Sequence, residues 1–469
     1  MKVSTINIKN VRSARLRTDA SYHLSEGQIV QKDIASSPYP LMLIKDVSND
    51  IFIGNRAKRI YVSNIEHGIP FLSSSDILKG DLEHVKLASK KYTPEIDRML
   101  LQKGWTLISR SGTIGNCAFA NAKHAQKLAS EDVIRLVPNN ILRGGLVYAY
   151  LASKYGHSLL TQGTFGAVIQ HIEPDFVGSL PIPHFPETFQ EEVDDLMQEA
   201  SRLREEATDE LNEAEKILKE AAKLRDLTPE DYDYYGLNNS GRKVSCFIRK
   251  RKDIDTTTIN AFNHSERIRN TKASITCPTV PLKEVLFGGD TFSTGSFPRI
   301  EVKEGCGIML INQKDIFDTI VKGKYISKRN VKTNNLVEYG EVLIAGIGTL
   351  GENETFCRAI YANEDLVGQL VSGEFIRMKT NGKVPSGYLY AWLASDYGFR
   401  LFRNLQAGTK LCRPIPRLVL EIPVPIVEKE TMEEIDKMVK DAYTKRYQAN
   451  CNERKAISLV EQEIESWNK

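Results

Sequence analysis

Gly104-Trp105-Thr106-Leu107-Ile108-Ser109-Arg110-Ser111-Gly112-Thr113-Ile114-Gly115 returns 236 residues later as Gly340-Glu341-Val342-Leu343-Ile344-Ala345-Gly346-Ile347-Gly348-Thr349-Leu350-Gly351. Each copy reads as a strand of β-forming residues entering a tight glycine turn. Downstream, Leu151-Ala152-Ser153-Lys154-Tyr155-Gly156 matches Leu393-Ala394-Ser395-Asp396-Tyr397-Gly398, and Pro181-Ile182-Pro183 matches Pro423-Val424-Pro425, both 242 residues apart. Between these, Gly163-Thr164 matches Gly408-Thr409. Upstream, Phe71-Leu72 leading to Asp76-Ile77 resembles Met309-Leu310 leading to Asp315-Ile316. The order is the same in both halves and the offset drifts by only a few residues. The chain is therefore a tandem of two units of roughly 200–240 residues each.

A chain of 469 residues leaves room for about two to four domains. A hydrophobic fraction of 41% and a charged fraction of 26% fit a globular protein rather than a disordered one. No apolar run approaches the ~18 residues of a membrane helix, so no membrane association is expected. The opening MKVSTINIKN lacks the apolar stretch of a secretory signal. Cys117, Cys246, Cys277, Cys306, Cys357, Cys412 and Cys451 stand singly, with no C-x-x-C pair. An odd, scattered set implies a reducing compartment, and the expected location is cytoplasmic.

The net charge of +3 conceals an alternation. Residues 1–180 carry a net +7 and residues 227–426 a net +6, whereas residues 187–226 carry −8 and residues 427–469 carry −2. Basic blocks are the electrostatic footprint of a polyanion partner, nucleic acid above all. Acidic helices that are merely well solvated would give part of the same pattern.

Within one unit, Trp105 to Ser109, Asn116 to Ala120 and Val133 to Val137 read as strands. Leu146 to Leu160 has apolar residues at helical spacing. Pro181, Pro183 and Pro186 then block helix continuation. Beyond them Val193, Leu196, Ala200, Leu203, Ala207, Glu210, Ala214, Ile217, Ala221 and Leu224 alternate three and four apart, a heptad seam with one polar member. From Val193 to Leu224 such a helix is ~48 Å long at ~1.5 Å per residue. Its apolar face is too narrow to stand alone. The natural partner is the segment from about Thr431 to Trp467, apolar at Ile435, Met438 and Ala442 and again at Ile457, Val460, Ile464 and Trp467, with a more polar middle where pairing should be looser. The expected class is α+β, with two mixed α/β globules separated by two long helices that pair as a coiled coil, the alternative being that each helix packs on its own globule. The boundaries are globule one at 1–186, spacer helix one at 187–226, globule two at 227–426 with an entry linker at 227–258, and spacer helix two at 427–469.

Catalytic motifs fail one by one. Gly346-Ile347-Gly348-Thr349-Leu350-Gly351 fits the dinucleotide pattern G-x-G-x-x-G. Its counterpart Arg110 to Gly115 lacks the first glycine, and Glu352 to Tyr361 reads as strand, not as an opening helix. Gly-Thr-x-Gly is thus a shared tight turn. The eight histidines and seven cysteines show no ligand spacing, His171 included, so no metal site is expected. There is no phosphate-binding loop, no nucleophile elbow, and no Asn-Pro-Pro-aromatic tetrapeptide of the amino-methyltransferase kind.

What remains is a binding signal. Candidate DNA contacts in the first unit are Arg56, Lys58, Arg59, Lys90, Lys91, Ser109, Arg110, Ser111, Thr113 and Thr164. In the second they are Lys322, Lys324, Lys328, Arg329 and Lys332, with Lys410 and Arg413 flanking the Gly408-Thr409 turn. Lysine and arginine neutralise phosphates, and arginine also reads guanine bidentately. Ordinary surface charge competes with this reading for any single residue.

The strand-turn Leu107-Ile108-Ser109-Arg110-Ser111-Gly112-Thr113-Ile114-Gly115, the Gly163-Thr164 turn, the Pro181-Ile182-Pro183 stop and the long helix from near Gln190 resemble specificity subunits of Type I restriction–modification systems. Arg15-x-Arg17-x-Asp19-Ala20 is similar to the opening of their target-recognition domains. The likeness runs over essentially the whole chain. The second unit departs where Ala345-Gly346-Ile347 replaces Ser109-Arg110-Ser111, so its polar contacts must come from elsewhere. The resemblance implies two target-recognition domains, each reading half of a split target in double-stranded DNA. It implies that Val193, Leu196, Leu203, Ile217 and Leu224 on one helix, with Ile435, Met438, Ile457, Val460 and Ile464 on the other, form an antiparallel coiled coil, a spacer docking two DNA methyltransferase subunits. Restriction endonuclease and translocase subunits would join them. The chain itself would be non-catalytic, with S-adenosylmethionine, ATP and Mg held by the partners. The ~48 Å helix would cap half-site separation near 14 base steps. A methyltransferase-only or related restriction system, and a coiled-coil assembly scaffold without DNA specificity, are the alternatives. A self-contained methyltransferase would need a cofactor site that the sequence lacks.

Overall fold

The computed structural model describes residues 6–13, 18, 23, 25–55, 59–162, 164, 171–228, 231, 248–254, 257–329 and 331–467. Arg56, Lys58, Gly163, Arg15, Arg17, Asp19 and Ala20, and most of the 227–258 entry linker lie outside them. The chain forms two units. One is Met1–Glu205 with Gln448–Lys469, and the other is Glu206–Tyr447. The first long helix, Glu187–Ala221, and the second, Lys429–Ser466, each contribute to both.

In the first unit a four-stranded sheet orders β2 (Ser48–Ile53), β9 (Val133–Pro138), β6 (Thr106–Ser109) and β7 (Cys117–Phe119). All four residues of β6 are buried. The strand is central, and alternate side chains serve two cores: Ile108 packs with Ile134 and Leu146, Leu107 with Trp105 and Leu72. That two-sided burial explains why Leu107 and Ile108 are apolar side by side where a half-exposed strand would alternate. A second sheet orders β3 (Tyr61–Val62), β5 (Lys86–Ser89), β4 (Gly68–Leu72) and β8 (Leu128–Ala129). β1 (Leu41–Leu43) pairs with β10 (Pro181–Pro183).

The single helix expected over Leu146 to Leu160 is two, Gly144–Ala152 and Lys154–Gln162. Ser153 breaks it. Its hydroxyl donates to the Tyr150 carbonyl at 2.6 Å and accepts from the Gly156 N–H at 3.2 Å, ending one helix and capping the next. A Cβ on Gly156 would lie 2.1 Å from the Tyr150 carbonyl oxygen, so the crossing requires glycine. The second unit repeats the device between Ser386–Ala394 and Asp396–Asn404. Ser395 bonds the Trp392 carbonyl at 2.6 Å and the Gly398 N–H at 3.3 Å. This is the reason for the repeated Ala-Ser-x-Tyr-Gly.

Topology repeats as well. β14 (Val342–Ala345) lies between β15 (Ala359–Tyr361) and β17 (Phe375–Met378), both antiparallel to it, as β6 lies between β7 and β9. β11 (Thr279–Pro281) pairs with β20 (Pro423–Pro425). β12 (Ile308–Ile311) pairs antiparallel with β13 (Lys324–Ile326) and parallel with β16 (Leu370–Val371), as β4 does with β5 and β8. The ladders shift one sequence equivalence. Lys86 faces Phe71, which faces Leu128; Lys324 faces Leu310, which faces Leu370. Phe71 therefore corresponds to Leu310, not to Met309.

The long helices run antiparallel within each unit. In the first, Ala200 and Leu203 pack on Ala449, while Val193 and Met197 share a core with Ala456, Val460 and Ile464. Arg204 pairs with the buried Glu453 at 2.6 Å, and Glu453 accepts from the Tyr148 hydroxyl at 2.5 Å. In the second, Ala214 and Leu218 share a core with Ile435, Val439 and Tyr443, and Lys445 pairs with Glu210 and, at 3.3 Å, with Glu206. The polar middle of the second helix, Thr444 to Lys455, thus supplies specific ion pairs.

Candidate nucleic-acid interface

The repeated turn is held differently in each unit. In the first, the Ser109 hydroxyl donates to the Ser111 carbonyl at 3.1 Å and meets Thr113 Oγ1 at 2.9 Å. Ser111 donates to Asp132 Oδ1 at 2.6 Å. Arg110 is 4% exposed and donates to Glu173 Oε1 at 2.5 Å, while its Nε and Nη1 are buried with no hydrogen-bond partner among the described residues. Ser109, Arg110 and Ser111 are therefore engaged within the unit, and Gly112 and Thr113 form its exposed tip. Gly112 takes φ +76°, the left-handed region that glycine tolerates. Beyond the tip, Ser111 bridges His171 antiparallel, and Thr164 is half-buried.

In the second unit Arg403 does the holding. It is fully buried and donates to the carbonyls of Gly351 at 2.9 Å and Phe356 at 3.1 Å. The Gln313 side chain brackets Ile347, donating to its carbonyl at 2.5 Å and accepting its N–H at 3.1 Å. No helix opens after Gly351; turns lead to Cys357 and then β15. Gly348 bridges Cys412, which brings the hairpin of β18 (Gln406–Ala407) and β19 (Arg413–Pro414) beside the turn. Thr349, Gly408, Thr409, Lys410, Leu411 and Arg413 are all exposed there. In the second unit two soft motifs about 60 residues apart thus meet on one surface, at Gly348 with Cys412, whereas in the first unit the turn meets His171 at Ser111.

The remaining basic candidates lie on the sheets of β3–β5 and β12–β13. Arg59 is exposed but paired with Glu131 and, at 3.8 Å, Asp132, and it lies 5.3 Å over the Phe71 ring. Lys90 donates to the Glu66 carbonyl at 3.0 Å, and Lys91 lies 5.4 Å from the Tyr92 ring. Lys322, Lys328, Arg329 and Lys332 are exposed, and Lys324 pairs with Glu301 at 2.6 Å.

Two residues with no signal in the sequence reading are Arg135 and Arg377, both fully buried at equivalent places on β9 and β17. Arg377 lies 4.8 Å over Phe292 and is bidentate to the buried Glu341, with 2.8 Å to each oxygen. Arg135 lies 5.8 Å over Phe52 and donates to the carbonyls of Ser130 at 3.0 Å, Val133 at 2.7 Å and Ala129. Trp105 stands where the second unit has Glu341, so no carboxylate answers Arg135 directly. Burial pushes its pKa down to about 10. A shared offset of 242 residues, with phenylalanines 240 apart, was the available clue.

On the long helices Val193, Leu203, Ile435, Val460 and Ile464 are buried, while Leu196, Ile217, Met438 and Ile457 are partly so. Met197 and Leu218 are buried more deeply than their neighbours Leu196 and Ile217. A straight helix drifts ~20° per heptad off a strict seam. Leu224 lies past the end of the helix. Lys223 at φ +51° and a Leu224 N–H bond to the Lys219 carbonyl at 2.9 Å stop the helix at Ala221, and Leu224 still packs on the second unit's core.

Among the described residues no group of three His, Cys, Asp or Glu could hold a metal ion, and no helix is long and apolar enough to cross a membrane. No protein-family profile and no curated protein matches the chain. Among solved structures it is similar to the Type I restriction–modification S subunit from M. genitalium, at 14% identity over 92% of this chain and 96% of that one, with a TM-score of 0.35. It is also similar to the HsdS subunit from Thermoanaerobacter tengcongensis, at 12% identity over 91% and 96% with a TM-score of 0.28. A third similarity is to a chain from a study of complex assembly and conformational transition of the type I R-M system, at 13% identity over 91% and 98% with a TM-score of 0.28.

Proposed function

We propose that this chain is a non-catalytic DNA-specificity subunit that recognises a two-part target in double-stranded DNA. The observation that carries the reading is duplication. One chain builds the same central ladders twice, β7-β6-β9 as β15-β14-β17 and β5-β4-β8 as β13-β12-β16, and two copies of a recognition unit suit a target with two parts. The charge alternation supports it, with the globular blocks at +7 and +6 and the helical blocks at −8 and −2. DNA then belongs on the globules, and the acidic helices are left for protein. In this reading they dock two methyltransferase subunits of a Type I restriction–modification complex, and endonuclease or translocase subunits complete the assembly. S-adenosylmethionine, ATP and Mg belong to those partners.

The test is an electrophoretic shift of the full chain with its methyltransferase subunit. One bipartite duplex should bind far more tightly than scrambled duplexes at moderate salt. Equal affinity for all duplexes overturns the reading, and an absence of salt-sensitive binding favours a protein-assembly scaffold.

A further inference from the structure

The β4–β5 and β12–β13 ladders place two basic runs in one register. Lys86-Leu87-Ala88-Ser89-Lys90-Lys91 falls on Lys324-Tyr325-Ile326-Ser327-Lys328-Arg329, residue for residue. Surrounding backbone bonds agree. The Ser89 N–H donates to the Ile60 carbonyl at 2.8 Å, and the Ser327 N–H to the Ile300 carbonyl at 2.9 Å. Tyr61 pairs with Ala88 on the outer side, and Glu301 bridges Ile326. In both units the strand carries a lysine at its start and two exposed cations just past its end.

We propose that these runs are the phosphate-gripping edge of each unit, with Lys90, Lys91, Lys328 and Arg329 contacting the DNA backbone rather than the bases. The proposal rests on the DNA-specificity reading above. Where the two half-sites differ, side chains common to both units cannot supply the difference, whereas the phosphate backbone is the same under both. Shared cations at a shared register therefore belong to positioning. Positions that differ at the same register, such as Tyr61 and Glu301, are free to carry choice. The side-chain chemistry agrees: three of the four are lysines, flexible point charges suited to phosphate, and none is locked in an ion pair among the described residues.

The experiment compares the full chain with Lys90→Gln/Lys91→Gln and with Lys328→Gln/Arg329→Gln, measuring affinity for the selected duplex and a scrambled one from 0.05 to 0.3 M salt. All four residues are exposed, and thermal unfolding checks that both variants remain folded. Each pair should lower the slope of log K against log salt by about 2. It should weaken both duplexes by the same factor and leave the preferred sequence unchanged. A wild-type slope retained in both variants overturns the proposal while leaving the DNA reading intact. So does a loss confined to the selected duplex, because that would assign the residues to bases. Failure of the wild-type chain to bind any duplex overturns the underlying reading instead.

Discussion

Asp194 on the first long helix accepts a 2.7 Å hydrogen bond from the backbone N–H of Gly145, at the start of the Gly144–Ala152 helix. Asp436 accepts the same bond from Gly387 at 2.7 Å in the second unit. The carboxylate answers an otherwise orphaned N–H at the positive end of a helix. It is also how each globule is fastened to its long helix, and it extends the repeat into the helices themselves.

The approach leaves no room for a methyl group. A Cβ on Gly145 would lie 2.5 Å from Asp194 Oδ1 and 2.9 Å from Met197 Cβ. Gly145→Ala should destabilise the first unit by ~1–3 kcal/mol, and Asp194→Ala by ~1 kcal/mol. Urea unfolding measures both, and a neutral Gly145→Ala would contradict the tight docking.

The two buried arginines should respond unequally. Arg377→Met leaves the buried Glu341 carboxylate only the Glu338 N–H at 2.9 Å and Lys379 at 3.8 Å, and should cost ~3–5 kcal/mol. Arg135→Met strands carbonyl groups only and should cost ~1–3 kcal/mol. Unfolding of the full chain followed by unit-specific hydrogen exchange separates the two, and equal losses would contradict the asymmetry.

Acid should weaken the first unit before the carboxylates titrate. Burial pushes the His124 pKa down to about 4 from 6.5, and its Nε2 lies 3.3 Å from the Ile77 carbonyl. The unfolded chain then binds the proton more readily than the fold does between those values. The stabilisation is complete above about pH 6.5 and is lost as pH falls toward 4, by up to ~3 kcal/mol. Replacing His124 with asparagine should flatten that part of the stability profile, as read by chemical denaturation at each pH. An unchanged profile would place the dependence elsewhere.

Leu203 is 6% exposed and packs on Ala200 and Ala449. Leu203→Asp places a charge in that contact. It should loosen helix pairing and abolish docking of the methyltransferase subunits, measured by size-exclusion light scattering. Unchanged assembly would count against the spacer role.

Legibility in the sequence followed the locality of the cause. β6 and β14 could be read because two-sided burial makes an apolar run that needs no partner to be recognised. The break at Ser153 could not, since it depends on a Tyr150 carbonyl and a glycine that matter only once two helices cross. Asp194 and Asp436 read as solvated carboxylates because the N–H groups they serve lie 49 residues away. The basic runs were both visible, but the drift of offset from 236 to 242 concealed their common register. Ser109, Arg110 and Ser111 were legible as polar residues at a turn, yet only packing reveals that they face inward.

The central claim is that each unit reads its own half of one target. Selection of bound duplexes from a randomised pool, using the full chain with its methyltransferase subunit, tests it most directly. The account predicts two short preferred blocks at one fixed separation. A single continuous block, or no preferred sequence at all, would contradict it.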